Sequence, residues 1–195
     1  AQQQINDGYA QVQSGQTQLN NGLAQLNDAQ AQLEEGYAQL APTEETLAAT
    51  QTQLEESKAQ LDASKAQLDA TKAQLDSLTQ GKEALFQAAA AAGLPVSDTS
   101  DAGALALIAQ LEAASPELGQ QFAALREGLQ ALAAQGTDTT AALAAWEEGT
   151  AQYQAGLAQY EEGLAQYEEG LSQYQAAKAQ LDASQAELNA QRQTL

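Results

Sequence analysis

Residues 151–195 read AQYQAGL, AQYEEGL, AQYEEGL, SQYQAAK, AQLDASQ, AELNAQR, QTL: one seven-residue unit copied with drift. Its third place runs Tyr153, Tyr160, Tyr167, Tyr174, Leu181, Leu188, Leu195 without a gap, and Gly156, Gly163, Gly170 and Ala177 each follow three places after the first four of these. Seven residues are close to two helical turns, so a large apolar residue at every seventh place marks a helix that lies along a partner helix. Such a repeat dictates a shape and a mechanical role rather than a reaction.

The first half keeps the same period. Ile5, Val12, Leu19, Leu26, Leu33, Leu40, Leu47, Leu54, Leu61, Leu68 and Leu75 are seven apart throughout, and Gly8, Gly15, Gly22, Ala29 and Gly36 follow three places after the first five. Four places after the apolar line stand Tyr9, Leu23 and Tyr37, and later Lys58, Lys65 and Lys72. The unbroken phase predicts one helix, or nearly one, over residues 2–92, about 135 Å long at 1.5 Å per residue. Pro42 lacks the amide proton a helix needs and costs about 3 kcal/mol there. The phase continues through it, so a kink is expected rather than a loop; a helix restart at Pro42-Thr43-Glu44-Glu45 is the alternative.

Gly93-Leu94-Pro95 ends that helix, with glycine as the cap and proline just beyond. Caps at Asp98 to Asp101 open a helix over 102–114. Ser115-Pro116 opens another to about Gln135. After Gly136-Thr137-Asp138 the last helix runs from Thr139 to the end. The fold predicted is all-α: a long antiparallel coiled-coil hairpin with a small helical cap at the tip. Residues 1–92 form the ascending arm, 93–136 the tip with short helices, and 137–195 the descending arm.

A helix this polar cannot bury enough surface alone, so each arm needs the other. Laid antiparallel with Ala1 opposite Leu195, facing residue numbers add to 196 and the turn falls at Asp98. Leu33 then faces Gly163, Leu26 faces Gly170, and Gly36 faces Tyr160. Large meets small on both sides. The glycines read as seam residues that let two helices approach; a compliant stalk is the alternative reading.

Composition narrows the chemistry. The net charge is −19, and residues 1–57 hold no basic side chain. An acidic rod is repelled by nucleic acid and by anionic lipid. Without His or Cys there is no disulfide, thiol or imidazole chemistry and no ordinary zinc site. The paired carboxylates, such as Glu161-Glu162 and Glu168-Glu169, point about 100° apart on a helix and read as solvated faces rather than acid–base dyads. They match no calcium loop. No catalytic, cofactor-binding or metal-binding residue is assigned, and no cofactor is expected. Lys58, Lys65 and Lys72 read as side chains lying along the leucine seam and pairing with acids. The tip offers the candidate partner contacts: Leu94, Val96, Leu105, Leu107 and Ile108, most of which are also suited to closing a small helical cap.

The repeats AQYEEGLAQYEEGLSQY, ESKAQLDASKAQLDATKAQLDSL and AAKAQLDASQAELNAQRQTL resemble the extracytoplasmic coiled-coil insertion of bacterial FtsX-like (MacB-type) ABC transporter permeases, over nearly all of the chain. The glycine-bearing heptads are also similar to those of the YhgE/Pip membrane proteins. The first resemblance implies a non-enzymatic stalk on the outer face of the cell membrane, part of a longer membrane-embedded protein. It further implies a cytoplasmic ATPase subunit acting through a permease core, and an extracytoplasmic protein partner at the tip. The isolated domain is expected to be monomeric or weakly dimeric. A freestanding structural or adhesin-like coiled coil, or a YhgE/Pip ectodomain, is the alternative.

Overall fold

The structure, a computed structural model, describes residues 2–194. These form α1 (Gln2–Ala91), α2 (Asp101–Ala114), α3 (Pro116–Gln121), α4 (Ala123–Ala134) and α5 (Thr139–Thr194), with no strand among the described residues. The chain divides into two compact units, Ala1–Glu56 with Glu161–Leu195, and Ser57–Tyr160. Helices α1 and α5 pass through both. Helix α1 continues through Pro42, as the unbroken heptad phase demands.

In the first unit the two helices pair antiparallel through leucines seated on glycines. The Leu47 Cδ2 stands 3.3 Å from where a Cβ at Gly170 would be, Leu54 stands 3.3 Å from the same place at Gly163, and Leu181 stands 2.7 Å from it at Gly36. Leu26, Leu33 and Leu188 are buried together, with Ala29, Tyr37 and Leu181 against them. The tyrosines then cross the seam. The Tyr37 hydroxyl donates to Asp182 (2.7 Å), Tyr174 to Glu44 (2.8 Å), and Tyr167 to Gln51 (3.2 Å). The hydrogen bond to Asp182, with some burial and the carboxylate's charge, holds the Tyr37 pKa above its ordinary value; Glu44 does the same for Tyr174. Each tyrosine thus serves as apolar filler and as a polar link.

In the second unit the same device continues, with Leu61 on Gly156 (3.1 Å) and Leu68 on Gly149 (3.0 Å). Above these contacts α2, α3 and α4 fold against the end of α1. Leu85, Ala89, Ala104, Ile108, Leu111 and Leu129 form the centre of a core that also takes in Leu107, Phe122 and Leu125. Helix α4 meets α1 by reciprocal seating, Leu125 into Gly81 and Leu78 into Gly128. The single helix expected from Ser115 to Gln135 is broken at Phe122 (φ −102°, ψ 13°), which turns its ring into this core. Burial of one large aromatic outweighs the few helical hydrogen bonds given up. Helix α1 closes on Gly93 (φ 76°), with Leu94 N–H reaching the Ala89 carbonyl and Gly93 N–H the Ala90 carbonyl. Leu94 is thereby laid on the core.

The register differs from the one expected. All five leucine–glycine pairs between α1 and α5 have residue numbers adding to 217 rather than 196, a displacement of three heptads. Gly163 receives Leu54 instead of Leu33, Gly170 receives Leu47 instead of Leu26, and Gly36 receives Leu181 instead of Tyr160. Helices α2 to α4 occupy the flank of the last turns of α1, so α5 begins alongside Leu78 rather than at the turn. A seven-residue repeat slides by whole heptads and still sets large residues against small ones. The rule of large into small held, while its absolute setting belongs to the cap.

Substituting Gly149→Leu puts a second side chain where Leu68 already sits. It is expected to lower stability by about 1–3 kcal/mol in urea unfolding. Ala158→Leu, on an exposed face, is expected to stay within about 0.5 kcal/mol.

Candidate functional site

Two features of the second unit combine side chains from several elements: a polar node under the cap and a groove beside it. The node is built on Asp101, the first residue of α2. Its Oδ1 accepts from the Lys82 ammonium of α1 (2.7 Å) and from the Thr139 hydroxyl (2.7 Å), and its Oδ2 accepts from the Thr139 backbone N–H (2.7 Å). Lys82 also donates to the Thr139 oxygen (3.2 Å). The carboxylate stands at the N-termini of two helices, its own and α5, where free N–H groups and the helix dipoles favour negative charge. The Lys82 and Asp101 side chains are only 15% and 12% exposed. Burial works to raise the Asp101 pKa. The hydrogen bonds from Lys82 and Thr139, with the lysine charge, outweigh it and hold the carboxyl below its usual range. A second pair, Arg126 to Glu112, joins α4 to α2.

The groove, open and about 1160 Å³, runs beneath α4. Leu61, Leu68 and Leu75 of α1, Leu132 of α4, and Trp146 and Tyr153 of α5 form much of its wall. Trp146 is held from two sides. Its indole N–H donates to the Leu68 carbonyl (3.0 Å), and the Lys72 ammonium lies 5.5 Å from the ring centroid. Between the apolar residues stand Ser64, Gln67, Thr71, Gln74, Gln135 and Gln152. Tyr153 is the one titratable side chain in this lining. Such a wall can hold an apolar body and hydrogen-bond its edges; it offers no carboxylate, amine or imidazole to move a proton.

The five tip residues singled out from sequence lie in and around the cap core. Ile108 and Leu107 are buried within it, and Leu94, Val96 and Leu105 are half-buried against it. The structure brings the five together, but Leu107 and Ile108 face the core and present no surface to a partner. Among the described residues no three of His, Cys, Asp and Glu gather as a metal-binding group. Lys58 and Lys65 pair with Asp62 and Asp69 at 2.6 Å, and Lys72 with Asp76, each one turn onward. These exposed pairs hold the first two ammonium groups above their ordinary pKa, chiefly through the hydrogen bond. The glutamate pairs stay on solvated faces, and most accept from glutamines one turn away, as Glu34 does from Gln30 and Glu55 from Gln51.

The node and Trp146 went unmarked in the sequence. Lys82 carried a signal, since it falls out of the seven-residue spacing of Lys58, Lys65 and Lys72. Trp146 carried another as the only tryptophan. The chain matches no protein-family model, no curated protein and no solved structure.

Asp101→Asn is expected to cost about 2 kcal/mol at neutral pH, because it leaves Lys82 half-buried without its charge partner. The depressed pKa sets the sign: the stabilisation is full above the unfolded-state value of about 4 and is lost as pH falls through the lower folded value. Thermal melts from pH 7 to pH 2 should show wild type and variant converging at the acid end.

Proposed function

We propose that the chain is a non-enzymatic, antiparallel coiled-coil stalk that carries a small helical cap, standing on the outer face of a bacterial cell membrane as part of an FtsX-like ABC transporter permease. In this reading ATP-driven movement of the permease passes along the paired helices to a partner or substrate outside. The observation that carries it is the leucine-on-glycine seam, repeated in both units and joined to a capped core. Each unit spends much of its length on such a seam, which stiffens the helix pair within it. The resemblance of the repeats supplies the membrane setting. The net charge of −19 fits a surface kept clear of anionic lipid. No helix among the described residues is long and apolar enough to cross a membrane, so this reading assigns the anchors to other sequence.

The test is made in the native cell with Ala66→Cys, an exposed position in a chain without cysteine. A membrane-impermeant maleimide is expected to label it before lysis, and a mild-detergent pull-down of the labelled protein is expected to bring an ATPase subunit with it. Labelling only after lysis overturns the extracytoplasmic stalk. Labelling from outside without any ATPase overturns the transporter assignment and leaves a freestanding coiled coil or a YhgE/Pip-type ectodomain.

A further inference from the structure

The groove of the second unit continues a bed that α4 fills only in part. Helix α4 lies antiparallel on α1, with Leu125 on Gly81 and Leu78 on Gly128, so their facing numbers add to 206. It closes at Ala134, level with Lys72, and Gly136 (φ 74°) turns the chain away. The α1 face that α4 uses runs on. Leu85, Gly81 and Leu78 are followed at the same three- and four-residue spacing by Gln74, Thr71, Gln67 and Ser64, and these four line the groove. Its floor is the seam between α1 and α5. Leu61, Leu68, Trp146 and Tyr153 stay half-buried there, whereas Leu85 and Leu129, where α4 covers α1, are fully buried.

We propose that this groove docks one helix of another protein, following on from α4, with a leucine-rich face and lysine or arginine along its flanks. From Leu61 to Leu75 the floor runs about 21 Å, roughly four turns of such a helix. Trp146 and Tyr153 are the broad, half-open side chains that anchor a helix laid in a groove. The indole N–H is already bonded to the Leu68 carbonyl, so Trp146 offers the occupant apolar surface rather than a donor. Gln67, Gln74 and Gln152 flank that surface and supply amides for the polar edges of the incoming helix. All of these residues belong to the second unit, and the docking is independent of whether that unit stands on a transporter.

Charge selects the partner. The five basic side chains of Ser57–Tyr160, Lys58, Lys65, Lys72, Lys82 and Arg126, are all held in ion pairs. Those pairs take up five of the unit's twelve carboxylates and leave seven without a cation. Four of the seven, Glu127, Asp138, Glu147 and Glu148, adjoin residues that line the groove. The Glu148 carboxylate lies 3.5 Å from the side-chain amide of Gln152, itself in the lining. An acidic rim beside an uncharged floor attracts a cationic helix and repels anionic lipid and nucleic acid. A second copy of this unit has no free base to set against that rim.

The test uses the whole chain and a rhodamine-labelled peptide of roughly four turns, cross-linked to stay helical, with leucines at every third or fourth place and lysines beside them. Fluorescence polarisation is expected to give saturable binding with a dissociation constant on the order of 10 µM. The same peptide with glutamate in place of lysine is expected to bind about tenfold more weakly or worse. Glu127→Lys combined with Glu148→Lys, both at exposed positions, is expected to cost the lysine peptide about tenfold with an unchanged melt. Ala145→Glu separates docking from mere attraction, because it puts bulk into the groove while adding negative charge. A seated helix then loses about tenfold in affinity, whereas a peptide held by charge alone binds as well or better. No saturable binding of the lysine peptide, equal binding of the glutamate peptide, or undiminished binding to the Ala145→Glu variant overturns the proposal. Uptake of the neutral dye Nile red that the lysine peptide does not displace points to a small apolar ligand and overturns it as well.

Discussion

A leucine that meets a residue without a side chain is the contact on which both units depend. Two helices of this polarity have little else to bury: most of their surface is alanine, glutamine and glutamate, and the remaining apolar line is one residue wide. A leucine facing another leucine would hold the helices apart and expose the flanks of both. Facing glycine, with its Cδ2 3.0–3.3 Å from where a Cβ would stand at Gly149, Gly156, Gly163 or Gly170, the same leucine fills the space a side chain would take. Each such glycine weakens its own helix by roughly 1 kcal/mol, and burying most of a leucine returns about 1.5–3 kcal/mol. The margin is small at every rung, and the fold rests on the number of rungs.

That arithmetic explains why the cap matters out of proportion to its size. Rungs that repeat every seven residues are satisfied equally well at every seventh offset, so the seam alone has several settings of similar energy. The contacts that break the tie do not repeat. Asp101 accepts from Thr139 and Lys82, Trp146 reaches the Leu68 carbonyl, and α1 and α4 seat Leu78 and Leu125 on each other's glycines. Together they place the first turn of α5 beside Leu78 and so set the rungs of the second unit.

What could be read from sequence divides along the same line. The passage of α1 through Pro42 and the matching of large with small follow from a period that recurs many times, and the stop at Gly93 follows from the local chemistry of glycine and proline. The setting of the register did not follow, because it is decided by side chains that occur once and come together only after the tip has folded. Phe122 illustrates the limit. Its neighbours favour an unbroken helix, and only the presence of a core above α1 makes the break worthwhile. The tip residues were readable as a cluster, whereas the inward direction of Leu107 and Ile108 depended on where α4 would pass.

Trp146 gives this arrangement a built-in optical reporter. It is the only indole in the chain, it is seated where the repeating seam gives way to the unrepeated contacts, and its N–H is bonded to the helix across from it. Excitation at the red edge of protein absorption therefore sees one place alone. A slip of α5 by a single heptad would leave the leucine seats filled and circular dichroism unaltered, yet it would pull that indole off the Leu68 carbonyl and shift its emission. The motion hardest to see in a repetitive helix pair is thus the one to which the unlabelled protein is spectroscopically sensitive.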